Sequence, residues 1–118
     1  MKQPSQRQLR VSEQIRGVIS ETLHRGHFHD AVLVENAAAV TVGHVDVSPD
    51  LKNCSVYVMT LGGAKMDVVL PALNKIHAYF QTAINQHLNI KFTPRVTFKE
   101  DKTFAEAEKI EKLLQQIK

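Results

Sequence analysis

Apolar residues in the first quarter of the chain recur at helical spacing. Val11, Ile15, Val18, Ile19, Thr22 and Leu23 share one face of a 3.6-residue repeat. Ser5 followed by Gln8 is a capping-box pattern, with Pro4 and Leu9 placed for a hydrophobic staple. This predicts a helix from about Gln6 to about His24, carrying Arg7, Arg10, Glu13 and Arg16 on its polar surface and ending at Arg25-Gly26. From His27 to Ala39 no period is clear, and the segment reads as a connection. Val40 and Val42, then Val45 and Val47, alternate out of phase with each other, so the slip at Gly43-His44 predicts a bulge within a strand. Turn chemistry in Ser48-Pro49-Asp50-Leu51-Lys52-Asn53 leads to a β-rich return strand from Cys54 to Thr60, completing a hairpin.

Gly62-Gly63 breaks the chain before a long helical region. There Leu73, Ile76, Phe80, Ala83, Ile84 and Leu88 define a core face, with Lys75, Gln81, Thr82, Asn85 and Gln86 as solvent candidates. Pro71 belongs either to an opening turn or to a kink. Ile90 to Lys99 then alternates strictly. Ile90, Phe92, Pro94, Val96 and Phe98 are expected to face the core, and Lys91, Thr93, Arg95, Thr97 and Lys99 to face outward. Thr103-Phe104-Ala105-Glu106 is a second capping box, opening a last helix with the stripe Ala107, Ile110, Leu114 and Ile117. The order is helix, strand, strand, long or broken helix, strand, helix.

With 118 residues, the chain suits one domain with a single core. Its charge is uneven: residues 1–26 carry five cations and two acids, 27–60 one cation and four acids, and 61–118 nine cations and six acids. Two basic ends flank an acidic middle, so local potential rather than the net +3 would steer a polyanion. No Asp or Glu lies between Val68 and Lys99. Lys91, Arg95 and Lys99 at fixed spacing suit phosphates, whose neutralisation releases condensed counterions. A structural role competes with that reading, because lysines on an edge strand deter aggregation and Pro94 fits an edge or bulge.

A lone Cys54 excludes a disulfide framework and a cysteine-based zinc site, and a reducing cytoplasm is the default expectation. The most apolar run, Val68 to Leu73, is too short to span a bilayer. His24, His27, His29 and Asp30 form the densest group of metal-ligand types, but without a distant second ligand group they are expected to be solvated loop residues, and no metal or cofactor is assigned. Asp46, Asp50 and Asp101 occupy ordinary structural posts for aspartate, and no phosphate loop, GxSxG or HExxH pattern is present. The chain therefore carries no catalytic candidate. The aromatic residues are mostly spaced as core, so no platform for stacking single-stranded bases is visible.

Helix, strand, strand, helix, helix, strand is the order of the type II KH fold, and predicts an α+β domain over residues 1–118 with a small three-stranded sheet packed against helices. Arg7-x-x-Arg10-Val11-x-Glu13-x-Ile15-Arg16, Val45-Asp46-Val47-Ser48-Pro49-Asp50-Leu51 leading into Cys54-Ser55-Val56-Tyr57-Val58, and Pro94-Arg95-Val96-Thr97-Phe98-Lys99-Glu100-Asp101 resemble the bacterial ribosome-binding factor A family over nearly the whole chain. That resemblance implies a non-enzymatic, monomeric assembly factor. It would bind the small ribosomal subunit, help its rRNA mature near its two ends, matter most at low temperature, and have assembly GTPases as functional partners.

KH domains that clamp single strands use a GxxG loop, where glycines let backbone approach phosphate. Here no two of the five glycines lie three apart. The family replaces that loop with an Ala-x-Gly kink, and alignment puts Ile76-His77-Ala78 at the kink, with Pro71 as the other possible site. Lys75, His77, Lys91, Arg95 and Lys99 are the expected RNA-binding residues, with Arg7, Arg10 and Arg16 as a second group on the same side of the molecule. The alternative is a protein-docking adaptor that meets a ribosomal protein or an assembly GTPase through the acidic middle.

Overall fold

A computed structural model of the protein describes residues 4–102. The expected last helix, from Thr103, lies outside the described residues. Helix α1 (Gln6–Arg25) starts at the capping box: the Gln8 amide N–H donates to the Ser5 hydroxyl at 3.1 Å, and the Ser5 N–H donates to Gln8 Oε1 at 2.9 Å. Val11, Ile15, Ile19 and Leu23 are buried as the spacing requires. Pro4 and Leu9 both stay exposed, so the cap rests on hydrogen bonds rather than on an apolar staple.

The expected connection after α1 contains a short helix instead, α2 (Ala31–Asn36), followed by a 3-10 turn over Ala37–Ala39. Asp30 caps it by accepting from the Val32 N–H at 2.8 Å. Six residues span fewer than two turns, too few for a 3.6-residue period to emerge. Leu33 and Ala37 are buried in the core, and Phe28 and Val32 pack against it from the same segment.

Strands β1 (Thr41–Val47) and β2 (Asn53–Met59) form the antiparallel hairpin, with the bulge between Val42 and His44. In the turn, the Ser48 hydroxyl donates to Asp50 Oδ1 at 2.6 Å and accepts from the Asn53 N–H at 3.0 Å. Leu51 takes the left-handed conformation there, at φ 61°. Strand β3 (Arg95–Glu100) pairs with β2 in parallel, giving the sheet order β1-β2-β3. A parallel pair needs a crossover, and helices α3 (Met66–Lys75) and α4 (His77–His87) supply it.

Burial alternates on all three strands, so one face of the sheet is covered by helices and the other is open. Val42, Val45, Val47, Cys54, Val56, Val58, Val96 and Phe98 point into the core with Leu73, Phe80 and Ile84 from the helices. Phe80 meets Phe98 edge-on, with centroids 4.9 Å apart. Against expectation, β3 begins only at Arg95. Lys91, Phe92 and Thr93 form a loop, and Phe92 is 60% exposed rather than core.

Candidate nucleic-acid interface

The helical region breaks at Ile76, with φ −109° and ψ 31°, while α3 runs unbroken through Pro71. Because φ stays negative, the break needs no glycine, and Ala78 sits inside α4 without conflict. The Ile76 N–H still reaches the Leu73 carbonyl at 3.2 Å, and the Tyr79 N–H reaches the Ile76 carbonyl at 2.9 Å. Two amide side chains flank the break and turn onto the free edge of β3. Asn74 Nδ2 donates to the Phe98 carbonyl at 3.0 Å, and Asn74 Oδ1 accepts from the Phe98 N–H at 2.7 Å. Gln81 Oε1 accepts from the Val96 N–H at 3.1 Å. Gln81 is thus half-buried and structural, not the solvent residue its spacing suggested.

The same Gln81 oxygen lies 2.8 Å from His77 Nδ1. An amide oxygen only accepts, so the His77 Nδ1–H is the donor of this bond. His77 is half-buried at the start of α4, and Lys75 is exposed at the end of α3. The break therefore presents one cation and one imidazole tied, through Gln81, to the sheet edge.

Arg95, Thr97 and Lys99 project from the open face of β3 and are exposed, while Val96 and Phe98 are buried behind them. Lys91 lies in the loop before the strand, its ammonium 5.4 Å from the Phe92 ring centroid. The parallel register adds a cation that sequence reasoning missed. The Arg95 N–H donates to the Lys52 carbonyl at 2.8 Å, which brings the exposed Lys52 of the hairpin turn beside Arg95. No local signal links Lys52 to Arg95, because their adjacency depends on pairing across the crossover.

Across the open face, His44, Tyr57 and Lys99 form a row in register. The His44 and Tyr57 rings stack at 4.2 Å with 10° between planes, and the Lys99 ammonium lies 5.9 Å from the Tyr57 centroid. Asp46 and the buried Asp101 approach His44 from either ring nitrogen, at 3.9 and 3.7 Å. This row is an internally partnered cross-strand stack.

The α1 arginines do not join the β3 cations. Helix α1 packs against β1 and α4, and β1 and β3 are opposite edges of the sheet. At 3.6 residues per turn, Arg7 and Arg16 stand about 180° apart around the helix axis. Arg16 lies 3.6 Å from Glu13 and lines a cleft with Ser20, His24, Val40 and Thr41 at the β1 edge. Arg7 and Arg10 are exposed near the start of the helix. The expectation of one shared cationic side is therefore corrected: α1 lies on the covered face over β1 while Arg95 and Lys99 project from the open face of β3, and on α1 itself Arg16 stands on the opposite side from Arg7.

The remaining candidates resolve simply. His24, His27 and His29 are exposed, Asp30 is a helix cap, and no group of three His, Cys, Asp or Glu side chains among the described residues is placed to hold a metal. No described helix is long and apolar enough to cross a membrane. Burial pushes the Cys54 thiol up to about 12.

The two-layer architecture, with a hairpin, a broken helical crossover and a parallel third strand, defines an α+β, KH-like domain. The family model described as "Ribosome-binding factor A" matches residues 7–114. The chain belongs to the ribosome-binding factor A family. It is similar to ribosome-binding factor A of Rhodopseudomonas palustris strain BisB18, with 49% identity over 93% of this chain and 79% of that protein. Among solved structures, it is similar to the crystal structure of ribosome-binding factor A from Thermus thermophilus, with a TM-score of 0.63, 20% identity, and coverage of 79% of this chain and 94% of that one. It is also similar to a homology model of the Thermus thermophilus factor fitted into a cryo-EM map of its 30S complex. There the TM-score is 0.60 and the identity 20%, covering 76% of this chain and 90% of that one.

Proposed function

We propose that this chain is a non-enzymatic factor that binds the small ribosomal subunit and assists its maturation and rRNA processing, contacting rRNA through Lys75, Lys91, Arg95 and Lys99. The observation that carries this is the state of β3. Asn74 and Gln81 already take up the Val96 N–H and both the N–H and the carbonyl of Phe98 on its free edge, so edge protection does not rest on Arg95 and Lys99, whose side chains stand exposed on the uncovered face. Family membership supports the choice of partner, since a related factor has been fitted into a 30S complex.

Phosphate contacts of this kind position a protein without reading sequence, which suits occupancy of one rRNA conformation during assembly. Assembly GTPases are functional partners in this reading, the chain acts as a monomer, and its compartment is the cytoplasm. In the acidic middle Asp30 is taken up by a helix cap and Asp50 by its own turn, which leaves the exposed Glu35 and Asp46 to carry the docking-adaptor alternative.

Co-sedimentation with free small subunits across a salt series tests the reading. Replacing Lys91, Arg95 and Lys99 together by Ala should weaken binding and flatten the salt slope by about 0.7 to 0.9 log units for each phosphate no longer neutralised. A weakened complex with an unchanged slope, or binding that survives ribonuclease digestion, points to protein docking and overturns the proposal.

A further inference from the structure

Phe92 lies exposed in the loop between α4 and β3. Burying a phenylalanine is worth roughly 1.5–3 kcal/mol, and the loop from Leu88 to Pro94 forgoes that at Phe92 while burying Pro94 and partly burying Leu88 and Ile90. Pro94 is fully buried, Ile90 packs against the core, and the Thr93 hydroxyl donates to Asn85 Oδ1 at 3.2 Å. Anchors on both sides hold Phe92 outward, 60% exposed. Its ring lies 5.4 Å from the Lys91 ammonium, and Arg95 with its neighbour Lys52 adds two exposed cations at the same end of the sheet. The nearby acid is Asp50, whose carboxylate is turned onto the Ser48 hydroxyl and the Lys52 N–H and is held below the usual carboxylate range mainly by that hydroxyl.

An outward aromatic face among cations is the chemistry of single-stranded nucleic-acid binding, where bases stack on rings and cations follow the phosphates. The other described rings are engaged: Tyr57 lies between His44 and Lys99, and Tyr79 packs on Phe28 and Phe80. We propose that Phe92, with Lys91, Lys52 and Arg95 around it, is a stacking site for an unpaired RNA base. It rests on the reading that this chain contacts rRNA, and adds that the contacted segment has at least one unstacked nucleotide at this end of the sheet.

The chain has no tryptophan, so Phe92→Trp installs a single fluorescent reporter. Its emission should be quenched by a short oligoadenylate and much less by the same strand in a duplex. Phe92→Ala and Phe92→Leu should each lower oligoadenylate affinity by roughly 5- to 150-fold, the range for one stacked base, while Phe92→Trp retains it. Both changes fall on an exposed side chain, so circular dichroism and thermal midpoint should match the parent.

Full binding by Phe92→Leu with loss by Phe92→Ala means an apolar contact rather than stacking, and overturns the site. Unquenched tryptophan, or unchanged affinity in both variants, also overturns it. If Phe92→Ala is silent while the Lys91, Arg95 and Lys99 triple variant still flattens the salt slope on the subunit, only the stacking site fails. If the triple variant is silent on the subunit, the broader reading fails whatever the oligonucleotide does.

Discussion

The side-chain amide of Asn74 closes a two-point hydrogen-bonded ring with the backbone of Phe98, donating at 3.0 Å and accepting at 2.7 Å. One side chain thus does the work of an additional strand at this point of the β3 edge, and it does so one residue before Lys75 and two before the helical break. The pair fixes where the break lies relative to the sheet, and hence where Lys75 and His77 are presented.

Asn74→Ala should lower unfolding free energy by about 1–3 kcal/mol, the cost of leaving partly buried backbone groups unpaired. Asn74→Asp should also destabilise near neutral pH, because a carboxylate keeps the bond from the Phe98 N–H but faces the Phe98 carbonyl without a proton. Urea titrations read both, through a lower midpoint at unchanged slope. A midpoint equal to the parent in Asn74→Ala would show that the edge is held elsewhere.

Gly43 at the β1 bulge has a packing reason to be glycine. Its φ is not in the left-handed region, but a Cβ there would overlap the carboxylate of Asp101, whose own N–H donates to the Val58 carbonyl at 2.8 Å. Gly43→Ala should cost about 1–3 kcal/mol from overpacking. Combined with Asp101→Ala, which removes the obstructing carboxylate, it should cost less than the sum of the two single changes, by about 0.5 kcal/mol or more. Additive energies in the double-mutant cycle would contradict the overlap.

Cys54 is buried on the central strand, and burial raises its thiol from an ordinary 9.0 to about 12. The native thiol should resist Ellman's reagent near neutral pH and react only as fast as the protein opens. The linkage has a sign. Unfolded thiol ionises near 9.0 and native thiol near about 12, so this contribution is fully present below pH 9 and is lost as pH rises through 12. Cys54→Ala should shrink the alkaline fall in stability over that interval. An equally steep fall in Cys54→Ala would remove the thiol from the explanation.

The arginines of α1 and the cations at the β3 end of the sheet occupy separate places. Replacing Arg7, Arg10 and Arg16 by Ala should therefore combine with the Lys91, Arg95 and Lys99 change additively, within about 0.3–0.5 kcal/mol, in subunit co-sedimentation. Strong coupling between the two triple variants would mean that both groups grip one continuous segment of partner.

Much of this protein was decided within short stretches of its sequence. The Ser5–Gln8 cap, the Val11 to Leu23 stripe, the slip at Gly43-His44 and the Ser48–Asn53 turn all rest on contacts a few residues apart, or on a periodicity that states which face is buried. The order of the main elements followed from these, as did the outward direction of Arg95 and Lys99, which strand alternation dictates.

Tertiary structure decided the rest, because each remaining feature joins residues that are distant in the chain. The break at Ile76 is braced by β3 backbone some twenty residues on. Lys52 meets Arg95 only through parallel pairing, and the α1 arginines part company because the helix lies over β1 rather than β3. Phe92 obeyed the alternation on paper but fell before the strand began, and a period-two pattern constrains a side chain only where a ladder holds the backbone extended.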